Sequence, residues 1–209
     1  MKPNLFIIGA ARCGTTSLYH YLDQHEEIYM SPVKEPGYFC KTDVSNGGSS
    51  ENDKPKYVYE WQKYLELFDK AHSGHKAVGE ASADYLYCEG AARKIKDKIT
   101  NPKFIAILRN PVDRAYSHYK LFRNKNATQF SSFEEAIQKN PEYIERGMYY
   151  EQISRYYEEF PRSSLKVILF GEFTKKTDKK MEEIFNFLEV KTDVKIDTDK
   201  NITSMGSLK

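Results

Sequence analysis

Asn4-Leu5-Phe6-Ile7-Ile8-Gly9-Ala10-Ala11-Arg12-Cys13-Gly14-Thr15-Thr16-Ser17-Leu18 decides how the rest of the chain is read. Residues 4–10 are a continuous apolar run closed by glycine, the pattern of a strand buried on both faces. From Thr15 the apolar spacing turns helical (Leu18, Tyr21, Leu22) and persists to about His25. A strand, a glycine-bounded loop and a helix start together make a phosphate cradle, because free backbone N–H groups and the positive helix end converge there. Against G-x-x-x-x-G-K-[ST], Gly9 and Gly14 are correctly spaced and Thr16 takes the hydroxyl position. Thr15 stands where the lysine that reaches β- and γ-phosphates belongs, which argues against ATP-type phosphoryl transfer. The loop's cation is instead Arg12, and Thr15, Thr16 and Ser17 supply three successive hydroxyls. The plain alternative is a capped βα turn in which Gly14 only relieves crowding.

Outward from this stretch, residues 76–82, 103–109 (KFIAILR) and 165–170 (LKVILF) read as further strands. Helical spacing covers 57–69, 90–100, 111–124, 133–140, 143–160 and 175–189, with Pro111 suited to a first helical position. The polar segment 41–56, with Gly-Gly and Pro, predicts an exposed loop. Strands alternating with helices give an α/β fold, a mainly parallel sheet flanked by helices. In such a sheet ligands gather beyond the strand ends, where Arg109 emerges. Ser117, eight residues on, falls on the second turn of the next helix, and an arginine fork plus a hydroxyl suits one phosphate. An Arg109–Asp113 ion pair is the competing reading.

The 209 residues fit a single domain spanning 1–209. Hydrophobic residues at 40% and charged residues at 30% describe a globular chain, not a disordered one. A net charge of +2 excludes a polyanion binder driven by bulk charge, so no nucleic-acid partner is expected and any anion site is local. No apolar run approaches a membrane span, and no membrane partner is expected. Cys13, Cys40 and Cys88 are odd in number and lack a C-x-x-C pair, which predicts neither a disulfide framework nor a metal site. With no secretory signal at the N-terminus, a cytoplasmic location is expected. Nothing in the sequence fixes the oligomeric state.

Taken together, GAARCGTTSLYHYL, SPVKEPGYF and FIAILRNPVDRAYSHY resemble the sulfotransferase superfamily that uses 3′-phosphoadenosine 5′-phosphosulfate (PAPS), above all its heparan-sulfate-type and bacterial branch. GMYYEQISRYYEEFPRSSLKVILFGEF is similar to that family's later helix–strand unit, so the resemblance covers about residues 4–190. It implies a nucleotide-kinase-like sulfotransferase fold, PAPS as donor and 3′,5′-diphosphoadenosine as product, with no metal. It further implies that Arg12, Cys13, Gly14, Thr15, Thr16 and Ser17 form the 5′-phosphosulfate loop, and that Arg109 and Ser117 bind the 3′-phosphate. Glu35, in Lys34-Glu35-Pro36, falls where the related enzymes place a catalytic base, and Arg12 becomes the transition-state cation. Glu80 and Ser82, at the end of a strand, are candidate contacts to a carbohydrate or small-molecule acceptor. The chain departs from the pattern in having Arg12 for the common lysine, Gly37 for a frequent histidine, and a short C-terminus. A P-loop phosphotransferase and a non-catalytic nucleotide-binding domain are the alternative readings.

Overall fold

The structure, a computed structural model, describes residues 1–40 and 58–198. At the centre of its sheet β1 (Leu5–Gly9) runs beside β4 (Lys103–Leu108), and β3 (Ala77–Ala81) flanks β1 on the other side. The edges are β2 (Ile28–Met30) and β5 (Leu165–Leu169), giving the order β2-β3-β1-β4-β5 with every pair parallel. Every residue of β1 and β3 is buried, which is why β1 reads as an unbroken apolar run rather than as alternation, while β3 carries one buried carboxylate, Glu80. Phe6 and Phe104 are register partners whose rings lie 5.8 Å apart, and Phe39 and Tyr156 pack on them.

Helices α1 (Thr15–Leu22), α2 (Trp61–Glu66), α3 (Ala91–Lys96) and α4 (Pro111–Asn124) connect the first four strands and lead out of the fourth. From β1 the chain crosses toward β2, and from β3 it crosses back past β1 to β4. Right-handed crossovers therefore set α1 and α3 on opposite faces. After α4 come α5 (Phe133–Lys139), α6 (Glu142–Glu145) and α7 (Tyr149–Glu159), and after β5 come α8 (Phe170–Lys175) and α9 (Thr177–Leu188). Among the described residues no helix is long and apolar enough to cross a membrane.

Three details differ from the sequence reading. The edge strand β2 is too short for its pattern to register, and only its pairing with β3 defines it. The helix expected over 143–160 is broken into α6 and α7, because Gly147 passes so close to Pro111 that a Cβ would lie 2.9 Å from its side chain. Gln152 Nε2 donates to the Glu145 carbonyl at 2.8 Å and closes the end of α6. The loop predicted over 41–56 lies outside the described residues.

The third difference is a correction. Cys40 and Cys88 are joined in a disulfide, with Cα atoms 5.8 Å apart, while Cys13 is free and buried. An odd cysteine count hides a pair that only tertiary structure creates: the short 3₁₀ turn Tyr38–Cys40 lies against the turn that follows β3. The thiols therefore give no support to a reducing compartment. The bond closes a loop of 48 residues, for which chain entropy predicts about 4 kcal/mol. Reducing it is expected to lower the unfolding free energy by about 2–4 kcal/mol. Urea midpoints with and without a dithiol check this, and identical midpoints would refute it.

Candidate active site

Because the sheet is parallel, the segments that carry Arg12, Glu35 and Arg109 all leave its C-terminal edge. β2 and β3 lie to one side of β1, and β4 and β5 to the other, so the chain changes direction between β1 and β4. This is the crevice where open α/β sheets take ligands. The Ala10 N–H donates to the Ile107 carbonyl at 2.8 Å, holding the two strands together up to its mouth.

The loop from Ala10 enters α1 through Gly14, at φ 91, which would strain a side chain; a Cβ there would lie 3.2 Å from the Phe170 ring. No side chain caps α1, so its first-turn N–H groups remain open to an anion. By contrast, Asn110 caps α4 by accepting from the Val112 and Asp113 N–H groups. Among the described residues no hydrogen bond engages the hydroxyls of Thr15, Thr16 or Ser17; Thr15 and Ser17 are buried and Thr16 is half-buried. Cys13 is the loop residue turned inward. Its N–H donates to the Ala10 carbonyl, its thiol packs on the Tyr149 hydroxyl at 3.8 Å, and burial pushes the thiol pKa up.

Arg12 is held in left-handed backbone at φ 72, a conformation that costs energy for a side-chain-bearing residue and collects at ligand sites. Its Nε and Nη2 donate to Ser117 Oγ at 3.3 and 3.2 Å. The structure thus brings together the loop cation and the hydroxyl expected at the 3′-phosphate. Arg109 lies near enough to oppose the Arg12 charge; burial first and then this repulsion hold the Arg12 pKa below its usual value. The Arg109 guanidinium stacks over Phe170 at 4.8 Å, and no ion pair joins it to Asp113. One ring, Phe170, therefore touches both ends of the candidate anion site.

Sequence reading missed a third cation. Arg114 is fully buried; its Nη2 donates to the Tyr143 carbonyl and its Nη1 to His118 Nδ1, while its buried Nε has no partner. Burial, followed by the charges of Arg146, Arg114 and Arg12, pushes His118 down to about 3, so the ring is neutral and can accept. Among the described residues Arg12, Arg109 and Arg114 have no carboxylate partner. The available signal was spacing: Arg114 lies one turn before Ser117 on α4.

On the β3 side, Glu35 is also left-handed, at φ 60, and half-buried. Its N–H donates to the Ala81 carbonyl at 2.8 Å, its Oε2 accepts from the Ala83 N–H at 2.7 Å, and Lys34 Nζ pairs with Oε1. No direct bond links it to Arg12 or Ser117 among the described residues. Glu80 and Ser82 do not face an acceptor as expected. They are 0% and 1% exposed and bonded to each other, because the β3 end is covered by the aromatic side chains of Tyr64 and Tyr85.

Residues 2–206 match the family described as sulfotransferase domain. The chain belongs to that family. A solved sulfotransferase from Alicyclobacillus acidocaldarius is 36% identical, with TM-score 0.90 over 97% of this chain and 87% of its own. Human carbohydrate sulfotransferase 15 is 31% identical over 164 residues, covering 61% of this chain. The match spans 29% of that human protein's length. Mouse sulfotransferase SULT7A1, solved in complex with PAP, shares the fold at 16% identity and TM-score 0.60, over 97% of this chain and 62% of its own.

Proposed function

We propose that this sulfotransferase domain moves a sulfuryl group from PAPS to a hydroxyl or amine of a carbohydrate or small-molecule acceptor. The observation that carries the reading is the crevice between β1 and β4. Among the described residues, Arg12, Arg109 and buried Arg114 have no carboxylate partner there, beside a helix with no side-chain cap and three unengaged hydroxyls. Such a site fits a doubly phosphorylated nucleotide, and Thr15 in place of a lysine fits one without a γ-phosphate.

The donor supplies SO₃ bonded to a phosphate that serves as leaving group. Residues 14–17 hold that 5′ phosphate with backbone N–H groups and hydroxyls, and Arg109 with Ser117 holds the 3′-phosphate. Arg12 neutralises the charge that grows on the 5′ phosphate as its bond to sulfur breaks. Glu35 takes the acceptor's proton as the new bond to sulfur forms. The name of the human relative supports a carbohydrate acceptor.

Calorimetric titration with 3′,5′-diphosphoadenosine, beside AMP and ATP–magnesium, tests the donor. Binding should require the 3′-phosphate and weaken about tenfold or more, about 1.4 kcal/mol, in Arg109→Ala. Equal binding of all three nucleotides, or wild-type affinity in Arg109→Ala, overturns the reading.

A further inference from the structure

Glu80 is a wholly buried carboxylate that the transfer step does not use. Its Oε1 accepts from the Tyr64 and Tyr85 hydroxyls, each at 2.7 Å, and its Oε2 accepts from Ser82 Oγ at 2.6 Å. Ser82 Oγ has spent its proton on Glu80 and offers its lone pairs outward, where one accepts the Gly37 N–H at 3.0 Å. Gly37 is two residues beyond Glu35, and both are in left-handed backbone, at φ 62 and 60. Phe39 N–H reaches the Tyr85 hydroxyl at 3.4 Å, and Tyr38 stacks on Tyr64 at 4.9 Å. The segment that carries Glu35 is thus fastened to one buried cluster at successive points after the carboxylate.

We propose that Glu80 and Ser82 are positioning residues for Glu35: the carboxylate fixes the rotamer of the serine, and the serine holds the left-handed turn that aims Glu35. The proposal rests on the reading of Glu35 as the proton acceptor. A burial role alone would not need a carboxylate, since an apolar residue fills such a space without the cost of desolvating charge. The strain at Glu35 persists only if groups outside the turn hold it: the Ala81 carbonyl holds its N–H, and Ser82 Oγ holds the N–H of Gly37, which itself takes its left-handed φ without strain.

Ser82→Ala removes the link with little change in volume, and Ser82→Thr keeps the hydroxyl. Two readouts are needed: steady-state transfer with affinity for 3′,5′-diphosphoadenosine, and amide hydrogen exchange at Gly37. In Ser82→Ala, kcat should fall about tenfold or more, since misplacing a reacting group by an ångström costs up to about 100-fold. Nucleotide affinity should stay within about twofold and Gly37 exchange should rise about tenfold, the loss of one held N–H. Ser82→Thr should restore both, and Glu80→Gln should behave as Ser82→Ala does.

Wild-type kcat in Ser82→Ala overturns the proposal, and so does a parallel loss of nucleotide affinity, which would mark general loosening. If the wild-type protein transfers no sulfuryl group, the reading of function fails by itself. The exchange arm then decides the positioning claim: unchanged Gly37 exchange in Ser82→Ala overturns it, and faster exchange sustains it.

Discussion

Replacing Glu35 with glutamine is expected to slow sulfuryl transfer about 100- to 10,000-fold, the range general-base catalysis contributes. The substitution keeps the volume and keeps an oxygen to accept the Ala83 N–H, so the turn should survive. What it removes is the capacity to take a proton, together with the ion pair to Lys34. Affinity for 3′,5′-diphosphoadenosine should stay within about twofold, because among the described residues no bond links Glu35 to Arg12 or Ser117. Rates measured at saturating donor, alongside titration of the nucleotide, separate the two effects. A variant within about threefold of wild type would remove Glu35 from the chemistry.

Arg12→Ala is expected to lower kcat about 100- to 1,000-fold, comparable with losing one donor aimed at developing charge. Arg12 lies at the crevice, its guanidinium is partly desolvated, and repulsion from Arg109 leaves it in want of an anion. The loss should fall mainly on kcat, since the charge it meets grows only as the leaving group departs. Arg12→Lys should recover much of the rate, because a lysine keeps the charge but loses the fork that grips Ser117 Oγ through two nitrogens. An alanine variant with kcat intact and only a raised KM for donor would make Arg12 a binding residue alone.

Much of this fold was legible because its central strands are buried on both faces and run apolar without interruption. The glycine-bounded turn from β1 into α1 was legible because its parts are consecutive in the chain. The features that sequence did not yield are those made by distant segments. Cys40 meets Cys88, Arg114 loses its solvent under Tyr143, and Phe170, directly after β5, stacks on Arg109 at the end of the neighbouring β4. Glu80 and Ser82 were noticed for the right reason, as polar residues at a strand end. Their burial was not legible because alternation along a strand cannot say which end is roofed by Tyr64 and Tyr85.

The position of Phe170 sets an order on biosynthesis. Its ring packs on Gly14 and beneath Arg109, yet it follows β5, late in the chain. A ribosome that has released β1 through α4 has made the loop, the arginine and the serine, but not the ring against which two of them rest. The proposed nucleotide site is therefore completed only when β5 docks. A nascent chain should acquire affinity for 3′,5′-diphosphoadenosine in one late step rather than in stages.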